Sequence, residues 1–379
     1  MLQRSIRSDS RAPIAIGRLR DWLDESHRSG ITLTKPGSVA WVTGGKSVPV
    51  DRSAPFSDLW AVVTRDDAVL IASEVEVDRI LAEYSPRSLG FDEVLAVPWY
   101  DQDRALAVAI EFGGGTASDG HPGLGENCFD KLVTLRLNLS DPEQDDLREL
   151  GADVAEVVGH ALRCWRPGQH DWVLQANLVG SLLERGIYTP VMIVGGDERV
   201  RRFRHPLAGG RSVSSLAMVA VVAERGGLHT AITRYVTSEP LPSELLRLFG
   251  AVRRIEHEIL GACRVGEAYS SVLIAMDKAY QHEGHAQEWE KHYQGGPIGF
   301  AQREFEISPA NTESKWYKQR IETGTAVAWN PSLSGGAKVE DTYIVQASGL
   351  ELVTTSSLGL PFSPGDDDSA WIDGIVLGL

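Results

Sequence analysis

Residues 227–236 read GLHTAITRYV, and the apolar run SSLAMVA at residues 214–220 precedes them. The two runs predict a β-hairpin that carries Ala220 and Ala231 at a spacing of eleven residues. Carboxylates at two such positions would indicate a metal site. The alanine side chain has no atom that can bind a metal ion, so the function of this hairpin must be inferred from the rest of the chain.

The composition is that of an ordinary soluble globular protein. The chain has 379 residues, of which 42% are hydrophobic and 23% charged, and it is long enough for two domains. No run of about 18 apolar residues occurs, so the sequence predicts no membrane span. The first residues, MLQRSIRSDSRAP, lack the apolar core of a secretory signal, and we expect a cytoplasmic protein.

The net charge of −15 disfavours nucleic acid and acidic membranes as partners. The one basic cluster, RVRRFRH at 199–205, is short, and charge alone favours a solvated loop. Cys128, Cys164 and Cys263 have no spacing typical of a zinc site or a redox pair. We expect all three to be reduced and Cys164 to be buried.

The first part of the chain alternates helical and strand-like patterns. Residues 15–29 have apolar side chains at helical spacing, and two strand-like tracts follow at 30–34 and 38–45. A hairpin is predicted between LWAVVT and AVLIAS. The glycine-rich stretch 113–128 is predicted to be a long loop without the pattern of a dinucleotide site. Together these patterns predict a small α/β domain over residues 1–138.

Residues 139–379 are predicted to form one α+β domain. Ser140 begins a helix with a capping box to Glu143, and Asp171 is predicted to cap the next helix. Two further helices precede a strand-rich C-terminal third, at about 243–262 and 267–282. The order of helix pair, strands, helix pair and strands suggests an internal near-repeat.

Several tracts resemble the pita-bread metallopeptidase superfamily of methionine aminopeptidase, prolidase, aminopeptidase P and creatinase. They are AWVTGG in the first domain, RPG after the helix that opens the second domain, the hairpin, and the PIG and EDT landmarks. The resemblance covers nearly the whole chain. It implies a pita-bread C-terminal domain of α+β class behind a smaller creatinase-type α/β domain. It also implies a homodimer whose pocket is partly closed by a neighbouring N-terminal domain.

In the peptidases of this superfamily, five residues bind two metal ions: two aspartates eleven apart, a histidine in GHxxG, a glutamate before proline and a glutamate in an ED pair. The matching positions here are Ala220, Ala231, Gly296, Asn330 and Glu340. A hard divalent ion needs several oxygen or nitrogen donors, and one carboxylate beside an amide cannot hold two ions. We therefore expect no metal and no cofactor, although the fold is kept.

Creatinase, the metal-free branch, also lacks both aspartates and uses a histidine in an HNP tract as general acid/base. The matching residue here is His205, in FRHPLAGG, and the pair Arg303-Glu304 matches an RE pair of creatinase. Creatinase keeps a histidine where Gly296 stands and a glutamate where Asn330 stands. These departures argue against creatine as substrate, since fewer carboxylates would grip its guanidinium.

Each candidate residue also has a structural interpretation. His205 has the right pKa class for proton transfer near neutral pH, but it also resembles a surface histidine beside a basic cluster. His229 either fills the volume left by metal and ligands or packs in the pocket. His292 either gates the pocket or bonds to loop backbone. Strand alternation would put Glu304 rather than Arg303 in the pocket.

The sequence thus predicts a metal-independent hydrolase or lyase acting on a C–N bond of a small polar metabolite. His205 would be the acid/base, with Glu304 and Glu340 orienting the substrate. The remaining substrate-binding candidates are His229, His292, Arg303 and Asn330. The alternative is a non-catalytic protein that binds a peptide or metabolite in the old cleft. Retention of a proton-transfer residue favours the enzyme.

Overall fold

The structure of the protein, a computed structural model, describes residues 6–47, 49–308, 310–355 and 375–377. Tertiary contacts divide the chain into two units. The N-terminal unit comprises Met1–Asp146, Gly226–Leu228 and Gly299–Ala301. The C-terminal unit comprises Leu147–Arg225, His229–Ile298 and Gln302–Leu379. The β-hairpin and the candidate site residues belong to the C-terminal unit, apart from the hairpin turn and Leu228, with which the second hairpin strand begins.

The N-terminal unit is a mixed sheet with helices. Its helices are α1 (Ser8–Glu25), α2 (Pro36–Val42), α3 (Val77–Tyr84), α4 (Gln102–Glu111) and α5 (Phe129–Arg136). Its strands are β1 (Gly30–Leu33), β2 (Leu59–Thr64), β3 (Ala68–Ser73), β4 (Glu93–Val97), β5 (Ala117–Ser118) and β6 (Glu126–Asn127). They lie in the order β4-β3-β2-β1-β5-β6. β2 and β3 pair antiparallel, which is the predicted hairpin.

Two predictions for this unit are wrong in detail. Residues 38–45 do not form a strand, because α2 occupies most of them. Pro36 fits the first helical turn, where its missing N–H is not needed, and Gly44 and Gly45 follow the helix with φ of 60° and 86°. Residues 38–42 are all buried, so a period of two could not separate strand from helix. The predicted loop at 113–128 also contributes β5 and β6.

The C-terminal unit contains the larger part of the chain. Its helices are α6 (Asp141–Cys164), which crosses the boundary, α7 (Asp171–Leu183), α8 (Asp197–Arg202), α9 (Ser243–Ala262) and α10 (Tyr269–His282). Helices α9 and α10 confirm the predicted pair. Of the helices within the described ranges, none is long and apolar enough to cross a bilayer.

The strands of this unit form two main sheets. Its strands are β7 (Gln169–His170), β8 (Tyr188–Gly196), β9 (Ser212–Val213), β10 (Leu216–Arg225), β11 (Leu228–Thr237), β12 (Gly295–Pro297), β13 (Ala326–Trp329), β14 (Ser332–Leu333), β15 (Ala337–Lys338), β16 (Asp341–Gln346), β17 (Gly349–Leu352) and β18 (Ile375–Leu377). The main sheets have the orders β18-β11-β10-β8 and β12-β13-β16-β17. An antiparallel bridge between Thr233 and Glu340 joins them, so β11 of the predicted hairpin lies beside β16.

Helix α6 begins and packs largely as its sequence predicts. The Ser140 N–H donates to the Glu143 carboxylate at 2.7 Å, as in a capping box, and the apolar stripe is buried. The prediction that Cys164 is buried is wrong. Cys164 lies off the stripe in the last turn, is exposed, and its Sγ lies 3.6 Å from Nε2 of His160.

Candidate functional site

The two alanines of the hairpin are buried where the resemblance places metal ligands. Ala220 lies on β10 and Ala231 on β11. The N–H of Ala231 donates to Oγ1 of Thr342 at 2.8 Å, and that hydroxyl donates to the Ala231 carbonyl at 3.0 Å. The Thr342 hydroxyl therefore ties the backbone of β11 to β16 at this position.

Glu340 lies just before β16 and is buried. One carboxylate oxygen accepts from Oγ1 of Thr233 at 2.9 Å, and the other accepts from Nδ2 of Asn330 at 3.2 Å. Burial raises the pKa of the Glu340 carboxyl, while the charge of Lys338 opposes that rise. The structure thus brings two predicted site residues, Glu340 and Asn330, into direct contact.

Arg234 and Asp341 hold the strands on either side of this contact. The guanidinium donates to both carboxylate oxygens, at 3.0 and 2.7 Å, in a buried bidentate pair. Because Asp341 follows Glu340 directly and Arg234 follows Thr233, the pair fixes the register at which Thr233 meets Glu340. These are structural roles.

His205 lies in the irregular segment that follows α8. The carboxylate of Asp171 organises the end of that segment by accepting from the N–H groups of residues 209–211, at 2.8 to 3.1 Å. The prediction that Asp171 caps α7 is therefore wrong, because its oxygens bind this loop, and the helix has no side-chain cap. A Cβ on Gly195 would lie 2.5 Å from the Pro206 carbonyl, so glycine is needed for the close approach.

His292 lies in a hydrogen-bonded network that also holds Arg204. Nε2 of His292 contacts Oγ of Ser332, and Nδ1 accepts from the Gln294 amide at 2.7 Å. Arg204 donates to the Ser332 carbonyl at 3.2 Å and forms an ion pair with Glu288. Burial lowers the pKa of His292 to about 3, so it is neutral at physiological pH and its Nε2–H donates to Ser332. A hydrogen bond with its own backbone opposes the fall of this pKa, so His292 has both side-chain and backbone partners.

His205 is more exposed than His292, and the charges of Lys338 and Arg204 act on both residues. Burial lowers the pKa of the His205 imidazole. Three nearby cations lower it further: Lys338, Arg204 and Arg303. The charge of His205 in turn acts on His292, so the two imidazoles share one environment. At neutral pH His205 is uncharged and able to accept a proton.

Two further predicted residues, Arg303 and Glu304, lie in the segment that follows β12. Residues 302–304 do not form the expected strand, since β12 ends at Pro297 and the chain turns through Gly299. Arg303 is exposed and lies over the Tyr293 ring at 4.1 Å. Glu304 is buried, and its charge contributes, after burial, to the raised pKa of Tyr269.

His229 is half-buried on β11. Strand alternation puts its side chain on the same face as that of Ala231.

Sequence reasoning missed Lys338, Arg204 and Ser332. Lys338 precedes Glu340 by two residues in KVEDT, and the alternation of an extended chain would have put both side chains on one face. Arg204 adjoins His205 in the basic cluster. Charge alone indicated a solvated loop there and gave no sign that Arg204 contacts Ser332 and Glu288. Ser332 gives no signal in the sequence, because its role depends on residues far away along the chain.

Metallopeptidase family M24 matches residues 145–347, which is more than half of the chain. The chain belongs to family M24. This match confirms the superfamily that the sequence predicted. The prediction depended mainly on the hairpin and on the PIG and EDT landmarks.

The chain is also similar in sequence to a named relative. Agropine synthesis cyclase of Rhizobium rhizogenes is 25% identical over 200 residues, which cover 50% of this chain and 44% of that protein. The chain thus matches less than half the length of that relative.

Solved structures of the family share the fold. Dipeptidase PepE from Mycobacterium ulcerans superposes with a TM-score of 0.74 at 18% identity, over 93% of this chain and 97% of that one. The prolidase from Pyrococcus horikoshii OT3 gives 0.70 at 13% identity, over 90% and 98%. The predicted pita-bread fold of α+β class behind a smaller N-terminal domain is confirmed.

The metal site that the family name implies does not fit the residues present. The five matching positions hold Ala220, Ala231, Gly296, Asn330 and Glu340. Within the described ranges, no group of three or more His, Cys, Asp or Glu side chains is arranged to bind a metal ion. The Oδ1 of Asn330 is buried without a hydrogen-bond partner, and a neutral amide oxygen beside one carboxylate is a poor donor set for a divalent ion.

Proposed function

We propose that this member of family M24 is a metal-independent hydrolase or lyase that cleaves a C–N bond of a small polar metabolite, with His205 as general acid/base. The observation that supports the proposal most is the grouping of titratable side chains around Lys338. Its charge acts on His205, His292 and Glu340. Clustered groups with shifted pKa values are typical of catalytic sites.

The two histidines have different capacities in this arrangement. Both nitrogens of His292 are engaged, and the residue is half-buried, which suits a fixed hydrogen-bond donor. His205 is exposed, and its lowered pKa keeps it unprotonated near neutral pH. A general base must be uncharged and reachable, so His205 is the better proton carrier of the two.

In the hydrolytic form of the reaction, His205 accepts a proton from water while the hydroxide adds to the carbon of the C–N bond. The imidazolium then returns that proton to the departing nitrogen, so the histidine ends unchanged. Glu340 orients the substrate through its carboxylate. The relative that is called a cyclase, rather than a peptidase, accords with chemistry other than peptide hydrolysis on this fold.

The substrate is sought by incubating the purified protein with a metabolite extract and comparing masses before and after. A compound that disappears while a new mass appears identifies turnover. A compound that is only retained by the protein identifies the alternative, a non-catalytic binding protein.

With that compound in hand, two variants test the roles. His205→Ala is expected to lower turnover roughly 10²–10⁴-fold with little change in affinity, because only a proton carrier is removed. Glu340→Gln is expected to weaken binding, because an amide replaces a charge-assisted acceptor. His257→Ala, at an exposed position on α9, is the control and should match the wild type. Equal losses of affinity in both variants, without product from the wild type, would exclude catalysis.

A further inference from the structure

A small cavity lies between the end of α8 and the strands β14 and β15, with a volume of about 120 Å³. Its charged lining residues are all cationic: Arg201, Arg202, Arg204 and Lys338. Among the residues described as lining it there is no aspartate or glutamate. A wholly cationic lining is unusual in a chain with a net charge of −15, and it favours an anionic occupant.

The cavity lies on the functional face of the hairpin. Met218 and Tyr235 contribute to its wall. Strand alternation puts Met218 on the same face as Ala220, and Tyr235 on the same face as Ala231. The Tyr235 hydroxyl donates to the Gly336 carbonyl at 2.9 Å, which fixes the turn between β14 and β15. The cavity is thus adjacent to the positions where the family places its metal ligands.

Lys338 is the buried cation of this cavity, and its nearest opposite charge is the carboxylate of Glu340. Its side chain is 6% exposed, and it makes no hydrogen bond or ion pair within the described part of the chain. Both oxygens of Glu340 already accept hydrogen bonds, from Thr233 and Asn330. Burial lowers the pKa of Lys338, while the charge of Glu340 favours its ammonium form, and a ligand that accepts from the ammonium would favour that form further.

The arginines of the lining differ from Lys338 in this respect. Arg204 forms an ion pair with Glu288, which also binds Lys291. Hydrogen bonds from Lys291 and Ser334 outweigh the effect of burial and lower the pKa of Glu288 to about 2. Arg201 and Arg202 are exposed to solvent, which screens them. Lys338 is therefore the buried cation of the lining whose ammonium donates no hydrogen bond within the described residues, and its N–H groups can donate to one carboxylate of a ligand.

We propose that Lys338 binds a carboxylate of the substrate inside this cavity, so that the enzyme acts on small organic acids. The inference rests on the proposed function, because it names the substrate class of the same site. The ammonium donates to the carboxylate oxygens, and the side chains of Met218 and Leu333 contact the carbon atoms next to it. A phosphate dianion carries twice the charge that one lysine neutralises, which favours the monovalent carboxylate.

Thermal unfolding in rising concentrations of propionate, at constant ionic strength with chloride as the balancing ion, tests the site without any turnover. The midpoint of the wild type is expected to rise saturably with propionate, since a ligand that binds only the folded state stabilises it. Lys338→Met should weaken the apparent affinity at least tenfold. Lys318→Met removes an equal charge from an exposed position and should respond like the wild type.

Lys338→Gln serves if the methionine variant does not fold, because it keeps a donor but loses the charge. No response of the wild type, or an equal response of the Lys338 variants, overturns the proposal. Inorganic phosphate that stabilises more strongly than propionate overturns the carboxylate class. His205→Ala should keep the propionate response and lose turnover, so a failure of the anion site and a failure of the catalytic proposal are separate results.

Discussion

His205 owes its character to its neighbours rather than to its own position in the sequence. An isolated histidine would be about half protonated near its ordinary pKa of 6.5. Here partial burial and the surrounding cations favour the neutral form. The same cations come from segments more than a hundred residues apart, such as the turn at Lys338 and the end of α8.

The pH dependence of His205 can be measured directly. Because its pKa is lowered, His205 should stay neutral below pH 6.5 and become protonated only as the pH falls through its shifted value. A rate that needs the neutral base should therefore hold down to a pH below 6.5 and then fall. NMR titration of the imidazole C–H resonances gives the pKa independently of the rate.

Removing a neighbouring cation should move this value upward. Arg303→Gln is expected to raise the pKa of His205, because a nearby positive charge disfavours the imidazolium. The same titration of exposed His257 in that variant is the control and should not change. A His205 that titrates at or above 6.5 in the wild type would contradict the electrostatic account.

At the scale of elements, the site depends on loops that are held by buried carboxylates. Asp171 at the start of α7 binds the N–H groups of residues 209–211, and Arg199 of α8 also reaches its carboxylate at 3.3 Å. Asp197 similarly accepts from the N–H groups of residues 214–216. The loop that carries His205 is thus anchored on both sides by side chains rather than by regular secondary structure.

Replacing the anchor should loosen the loop more than the rest of the protein. Asp171→Ala removes the shared acceptor of three partly buried N–H groups and should lower the free energy of unfolding by about 1–3 kcal/mol. It should also make residues 203–211 more susceptible to limited proteolysis and lower turnover. Asp171→Asn keeps an acceptor oxygen and should lose less.

The exposed Asp66, in the turn between β2 and β3, provides the matched control. Asp66→Ala should change the free energy of unfolding by less than about 0.5 kcal/mol. Denaturant unfolding of the three variants gives the comparison. If Asp171→Ala were as stable and as resistant to protease as Asp66→Ala, the carboxylate would not be the anchor of the loop.

At the scale of the whole molecule, the family fold is kept while four of the five matching metal-ligand positions carry other residues. The superposition on a prolidase extends over 90% of the chain, although the matching ligand positions are mostly alanine, glycine and asparagine. Packing of the two sheets through Arg234 and Asp341 does not require a metal ion. A scaffold of this kind can lose its ligands without losing its shape.

Metal content is a property of the whole protein and can be tested as such. Elemental analysis is expected to find no stoichiometric manganese, cobalt, iron or zinc in protein purified without chelator. The thermal midpoint and any turnover should be unchanged by a chelator, since no described donor set suits a divalent ion. One or two ions per chain, or cleavage of Xaa-Pro peptides that depends on added metal, would overturn this.

The sequence by itself determined the fold and the loss of the metal ligands. The hairpin with Ala220 and Ala231 and the helix pair predicted at about 243–262 and 267–282 follow from periodicity and from motifs of fixed spacing. Such signals lie within short stretches of sequence, and they become specific when their spacing agrees with that of a known family. The position of His205 among the candidates also came from a short tract.

Only the tertiary structure decided what surrounds those residues. Arg204 meets Ser332 across a separation of 128 residues, and Asp171 binds a loop 38 to 40 residues away instead of its own helix. Lys338 is a buried cation only because two sheets and a loop enclose it. A local sequence pattern predicts the face on which a side chain lies. The burial of that side chain and the charges around it depend on the distant segments that pack against it, and these determine the pKa values in the site.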